Sequence, residues 1–386
     1  MTPFQSHTLD WPSLTVQWLP GVHTEPETGC TVRRLLAGTH TNREEPDRLL
    51  VLEVRLPSET ATGTGTATGT ARRESVRVAR ALPHDGEVNR ARSMPQDSTR
   101  VATLSPSIDG RGQAFVYNIA GGASEGEEPG PVLRLEGLGA EGYGLAWSPH
   151  RAGVLAAGAN DGAVLVWDVE AGCTTPLVRV AHGAVVEDVA WDPHTPHVLA
   201  SVGDDGALRL WDVRIGGATS ASATTKAVHT SRHGRTECNS VAFAPGWEHL
   251  YATGGADGVV ALWDARRAEH ALHALEHHAG AVYGVAWGAA VLASAATDRR
   301  VMLWDIARIG DEQSADDAAD GPPELVFVHS GHTAGVSEFA LCPGAPWAVT
   351  SVDSDNALQV WQPAANIRAP DDLSRPPSDA IIAELK

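Results

Sequence analysis

A chain of 386 residues with 42% hydrophobic residues can bury a large core, and its formal charge of −19 argues against direct nucleic-acid binding and favours a basic partner. Its apolar runs are short and broken by Gly, Asp or charge, so no membrane span is expected, and its first residues lack the basic-then-apolar order of a secretion signal. Cys30, Cys173, Cys238 and Cys342 are scattered with no CxxC spacing, and read as small apolar residues in a reducing compartment rather than a disulfide frame or zinc site.

Length alone suggests two or three domains, but internal repeats override that prior. The chain opens on a degenerate unit, SLTVQWLPG–RRLLAGTHT–RLLVLEVRL, with Glu74–Leu82 as its outer strand. The next units are EVNRARSMP–RVATLSPSID–QAFVYNI, EGYGLAWSP–VLAAGANDG–AVLVWDV and VVEDVAWDP–HVLASVGDDG–ALRLWDV. The last three are ECNSVAFAP–LYATGGADG–VVALWDA, AVYGVAWGA–VLASAATDR–RVMLWDI and GVSEFALCP–AVTSVDSDN–ALQVWQP. Each is three short β-branched strands separated by Gly, Asp or Pro. Trp-Asp pairs at Trp167, Trp211, Trp263 and Trp304, with weaker copies at Tyr117 and Trp361, step by 50, 44, 52, 41 and 57 residues. A blade of the WD type takes roughly 40–45 residues, so the longer steps carry insertions.

Seven copies predict an all-β, seven-bladed WD40 β-propeller over residues 13–367. No outer strand follows Trp361, so residues 1–12 are expected to supply it and close the ring. The stretch 61–71, ATGTGTATGTA, reads as a floppy insertion, and 119–130 and 214–228 as similar loops. The tail, 368–386, carries DAIIAEL, a short helix capped by Ser378 or Asp379.

Three sets of residues invite chemistry. His182, Ser201, Asp205 and Trp211 recur as His233, Thr253, Asp257 and Trp263, and as His332, Ser351, Asp355 and Trp361. A triad is one site, whereas a set repeated blade after blade is scaffold, a buried hydrogen-bond network. His273-Ala-Leu-Glu276-His277 matches a zinc-protease pattern that works only on a helix, and here an outer strand and loop are expected. The Gly-rich stretch near Gly63 lacks the Lys-Ser/Thr and the strand–helix context of a phosphate loop. No catalytic residue, metal or cofactor is therefore assigned.

The starts of the innermost strands are more informative. Six and four residues before each strand's last aromatic position stand Glu87/Asn89, Glu141/Tyr143, Val185/Glu187, Glu237/Asn239, Ala281/Tyr283 and Gly335/Ser337. These starts ring one mouth of the central channel, with Asp204 in an adjacent turn. Acids with aromatic walls suit a Lys or Arg side chain, the alternative being a solvated acidic rim. The insertion Ile309–His329 holds six acids, Asp311, Glu312, Asp316, Asp317, Asp320 and Glu324, then Pro322-Pro323 and the apolar run Leu325–Val328. It reads either as a grip for a basic amphipathic helix or as a disordered acidic loop before an ordinary strand.

In one fixed order, SLTVQWLPG, LLAGTHT, HDGEVNRARSMPQ, EGYGLAWSP, VVEDVAW, ATGGADGVVALWD, TDRR, IGDEQSADDAADGPPELVFVHSGHTA and QVWQPAANI resemble the histone-binding WD-repeat family, the retinoblastoma-binding and chromatin-assembly small-subunit proteins. The resemblance covers roughly residues 10–367, and the loop with Pro322-Pro323 is its most specific part. It implies a non-catalytic nuclear scaffold, present also in the cytoplasm, in chromatin-assembly, deacetylase, remodelling and Polycomb-type methyltransferase complexes. It implies a groove for the first helix of histone four, with Asp317 and Asp320 for basic side chains and Phe327 and Val328 for the apolar face. It also implies a channel-mouth site for the basic tail of histone three, at Glu87, Asn89, Glu141, Tyr143, Glu187, Asp204, Glu237 and Tyr283. The family's long N-terminal helix, one wall of the groove, is expected to be missing or lost to a truncated gene model, since the chain starts at MTPFQSH. Ala319, Ala281 and Ser354 stand where the family has acids. A generic WD-repeat adaptor, such as a ubiquitin-ligase substrate receptor with weakened histone binding, is the alternative.

Overall fold

The computed structural model describes residues 4–25, 30–56, 76–120, 129–214, 226–267, 269–288, 291–345, 347–364 and 367. The stretch 61–71, the tail with its expected helix, and most of the insertions after Ile119 and Arg214 lie outside these residues. The described strands form seven four-stranded antiparallel sheets.

From the channel outward, blade one is Val16–Thr24, Thr31–Gly38, Arg48–Leu56 and Val76–Pro83, and blade two is Arg90–Met94, Asp97–Pro106, Gly112–Asn118 and Leu133–Leu135. Blade three is Leu145–Trp147, Val154–Gly158, Ala163–Asp168 and Val178–Ala181. Blade four is Val186–Trp191, Val198–Gly203, Ala207–Asp212 and His229–Arg232. Blade five is Cys238–Phe243, Leu250–Gly255, Val259–Asp264 and His273–Glu276. Blade six is Val282–Trp287, Leu292–Ala296, Val301–Trp304 and Leu325–His329. Blade seven is Val336–Leu341, Val349–Asp353 and Ala357–Trp361, completed by Phe4–Thr8. The expected closing strand is there, with Phe4 opposite Trp361 and Thr8 opposite Ala357. Closure removes the open edge that a linear array would leave.

The core lies between blades, because each sheet buries both faces against its neighbours. Leu303 and Ala293 of blade six meet Phe339, Val349 and Trp361 of blade seven, and equivalent clusters fill the other joints. Burying side chains of this size stabilises by about 1.5–3 kcal/mol each. A polar stitch accompanies the packing. Indole N–H groups of inner strands donate to the preceding blade, from Trp18 to the Ala340 carbonyl (3.2 Å), Trp147 to Arg92 (2.8 Å), Trp191 to Ala146 (3.0 Å) and Trp287 to Ala242 (3.0 Å). The Trp18 bond spans the joint between first and last blades.

The recurring His/Ser/Trp sets are scaffold, as expected from their repetition. His182 bonds Ser201 (2.7 Å) and Asp205 (3.3 Å), and the Trp211 indole donates to Ser201 (2.8 Å). His233, Thr253, Asp257 and Trp263 repeat this. In blade seven the acid is not the expected one. Asp353 lies 2.8 Å from His332, while Asp355 accepts from Thr333. The reason is that Asp353 fills a slot held by Gly203 and Gly255 elsewhere, nearer the imidazole. A fourth copy, His278, Ser294, Asp298 and Trp304, escaped the sequence reading.

Candidate functional site at the channel mouth

One backbone bond explains why the inner-strand starts converge. The amide of the first turn residue in the second hairpin loop donates to the carbonyl six residues before the inner-strand aromatic slot. Asn160 donates to Glu141 (2.8 Å), Asp204 to Val185 (3.2 Å), Ala256 to Glu237 (2.9 Å), Thr297 to Ala281 (3.0 Å) and Ser354 to Gly335 (3.1 Å). Five blades therefore hold these positions in equivalent places around the channel end, and Asp204 stands beside the start of its own inner strand. The blade-four turn depends on Gly206 at φ +67°, where a Cβ would lie 2.5 Å from the Thr236 carbonyl oxygen.

Electrostatics show which side chains share a space. Burial, then the charges of Glu141, Glu187 and Glu87, push the half-buried Tyr143 hydroxyl above its ordinary pKa. Those acids come from three different blades. Burial first, then a side-chain hydrogen bond to Asp204 and the charges of Asp204 and Asp188, raise Glu187 to about 7, against the pull of Arg90. Glu87 also lies 2.8 Å from His40 Nε2. Glu237 and Tyr283 are exposed, Tyr283 by 49%, on the rim of the same end. Asn89 differs from its expected place. It is 2% exposed and its amide donates to the Gly142 carbonyl (3.4 Å), as Asn239 donates to Val282 (3.0 Å). It braces the neighbouring strand start instead of lining the open cup.

Beneath the mouth lies an ionic cluster that the sequence reading missed. Glu338 is buried and accepts from Thr15 Oγ1 (2.8 Å), the Val16 amide (2.6 Å), Arg92 (2.5 Å) and Arg90. Burial opposes its ionisation, but Arg90 and Arg92 outweigh that and hold its carboxyl at about 2. Arg90 Nε donates to the Tyr143 carbonyl (2.7 Å), so a guanidinium paired with Glu338 lies beneath the acidic wall of the cup. The available signal was Arg90-Ala-Arg92, two charges facing one way on an innermost strand.

The second candidate surface is the loop of blade six. Ser314 caps a single helical turn, Ala315–Ala318, and its hydroxyl bonds the Asp317 carboxylate (2.7 Å). Asp311, Glu312, Asp316, Asp317 and Asp320 are exposed, whereas Glu324 turns inward onto His273 (3.1 Å). Phe327 and Val328 do not share a face. Phe327 packs on Trp361, with ring centroids 5.7 Å apart, while Val328 packs into the joint with blade five. Consecutive strand residues point to opposite sides, so the pairing of these two as one apolar face is corrected. His273–Glu276 is a strand opposite Val259–Leu262. Positions four apart in a strand lie about 13 Å apart, too far to share a zinc ion. Among the described residues no group of three His, Cys, Asp or Glu side chains is placed to hold a metal.

Comparison with known families agrees with this architecture. Residues 175–212, 270–305 and 323–362 match the WD domain, G-beta repeat. Each match spans the outer strand of one blade and three strands of the next, the same offset that closes the ring. Residues 4–58 match the family of the histone-binding protein RBBP4 and its counterpart in the CAF1 complex. That stretch runs from the closing strand through three strands of blade one, where the propeller begins and ends. The chain is thus a WD-repeat propeller whose first blade is similar to the histone-binding WD-repeat family, a scaffold type.

Proposed function

We propose that this chain is a non-catalytic subunit of nuclear chromatin complexes that holds basic histone segments. The observation that carries this reading is that the charges of Glu141, Glu187 and Glu87, from three inner-strand starts, all bear on the Tyr143 hydroxyl. Three carboxylates from separate blades around one aromatic ring suit a Lys or Arg side chain, through charge-assisted hydrogen bonds and cation–π attraction. The ligand would be the basic tail of histone three or a similar basic motif, with Glu237, Asp204 and Tyr283 on the rim. The exposed acids Asp317 and Asp320 would meet the first helix of histone four, with Phe327 as the apolar contact. Assembly factors, deacetylases, Polycomb-type methyltransferases and remodellers are the complexes this role fits.

The test is retention of purified core histones at physiological salt. Glu141→Ala/Glu237→Ala should lose histone three, and Asp317→Ala/Asp320→Ala should lose histone four. Retention unchanged by all four substitutions would overturn the site assignment. Ala281, Ser354 and Ala319 each leave a position of the two surfaces without an acid and favour the adaptor reading. That reading predicts no histone retention by the unaltered chain.

A further inference from the structure

The strands of blade one run eight or nine residues, longer than most in the ring. Pairing aligns Leu19, Arg34, Glu53 and Arg77 in one row across its four strands. Such a row lies on one face of the sheet. Between this face and blade two is a cavity of about 530 Å³ with Leu19, Val51 and Ile119 as an apolar floor and Arg34, Arg80 and Glu53 around it. A volume of this order accommodates a side chain or two of a bound segment.

The charges of the pocket do not balance. Glu53 is taken by Arg77, whose guanidinium donates to it at 2.5 and 2.8 Å. Arg80 donates to the Ile119 carbonyl, a neutral acceptor. Among the described residues no acid pairs with Arg34 or Arg80. The pocket is a positive spot on a chain of −19, so an acidic segment is drawn to it and repelled from the rest of the surface. It lies towards the far end of the inner strand from the acidic mouth, since Leu19 and Pro20 follow the strand start by several residues.

We propose that this pocket docks a linear acidic segment of a partner protein, with one Leu or Phe side chain on Leu19, Val51 and Ile119 and an adjacent carboxylate on Arg34 and Arg80. The occupant is opposite in charge to a histone, so the two ends of the propeller hold different partners at once. The proposal rests on this pocket alone and not on the histone reading.

The experiment uses the full chain on an array of ten-residue peptides, each with one Leu or Phe flanked by Asp or Glu, beside matched peptides with Asn, Gln or Lys for the acids. Acidic peptides should bind at least tenfold more strongly than the matched sets. Arg34→Glu, at an exposed position, should remove that preference. Ala120→Trp, which fills the cavity from an exposed position and leaves every charge in place, should remove it as well. Both variants should melt within a few degrees of the parent and retain core histones as it does. Absence of an acidic preference overturns the proposal, as does binding that survives Ala120→Trp. Histone retention is a separate readout, so failure of the proposed function and failure of the pocket are told apart.

Discussion

The carboxyls of Glu187 and Asp204 are neighbours at the channel mouth, one from an inner-strand start and the other from a turn of the same blade, and after burial Asp204 does most to hold Glu187 up at about 7. Burial and the nearby Asp188 also favour a proton on the pair. A cationic ligand favours the pair without that proton. Affinity for a basic tail peptide should therefore rise as pH increases through about 7, approaching tenfold per pH unit at the acidic side. Fluorescence anisotropy between pH 6 and 8 reads this. Asp204→Asn should weaken binding and flatten its pH dependence, and an equally steep profile in that variant would refute the coupling.

Glu338 ties blade seven to blades one and two. Glu338→Gln would leave Arg90 and Arg92 facing each other without the carboxylate that bonds both of them. Breaking a buried pair on one side costs about 3–5 kcal/mol. Urea denaturation should show a loss of that order. Hydrogen exchange should show Phe4–Thr8 and Val336–Leu341 opening first, because the damaged joint is the one that closes the ring.

Buried histidines make the fold acid-sensitive. Burial lowers His84, His182 and His329 to about 4, with Arg209 adding to the effect at His182. An unfolded histidine titrates near 6.5, so between those values the unfolded chain binds more protons than the folded one. Stability should hold above about pH 6.5 and fall as pH drops towards 4. Melting temperatures from pH 8 to 4.5 check this, and His182→Gln should lessen the slope while lowering stability at pH 8. An identical slope would mean that His182 contributes nothing to it.

Phe327 and Val328, although adjacent, should behave differently. Val328→Ser places a hydroxyl in the joint with blade five and should lower stability by about 1–3 kcal/mol with no effect on retention of histone four. Asp317→Asn lies on an exposed turn and should change stability by less than about 0.5 kcal/mol while weakening that retention. Calorimetry and a histone-four peptide titration separate the two; the reverse pattern would place the groove on the blade-five side.

The propeller was legible because its signal repeats. Trp211 and Trp263, each ten residues after a Ser or Thr, mark third strands against second strands without any knowledge of the fold. The mouth was legible because a strand start is a fixed distance from such a marker, and the backbone bonds from Asn160, Asp204 and Ala256 show why that distance holds. Asp353 was missed because a repeat template assigns the turn slot to the acid, whereas distance to the imidazole decides which acid is used. Glu338 was missed because its partners are 246 and 248 residues away and become neighbours only when the ring closes. The positive pocket of blade one was hidden in the same way, since Arg34 and Arg80 belong to strands that alternate normally and acquire a shared cavity only from blade two.

The strand that completes blade seven has a consequence for synthesis. Phe4–Thr8 is synthesised about 350 residues before its partner Ala357–Trp361. At about 5–20 residues per second the wait is roughly 20–70 s. Throughout that time the nascent chain carries an orphan β-segment and an incomplete ring whose last interface is open. Ring closure therefore waits on the synthesis of Ala357–Trp361, and those edges stay open until then.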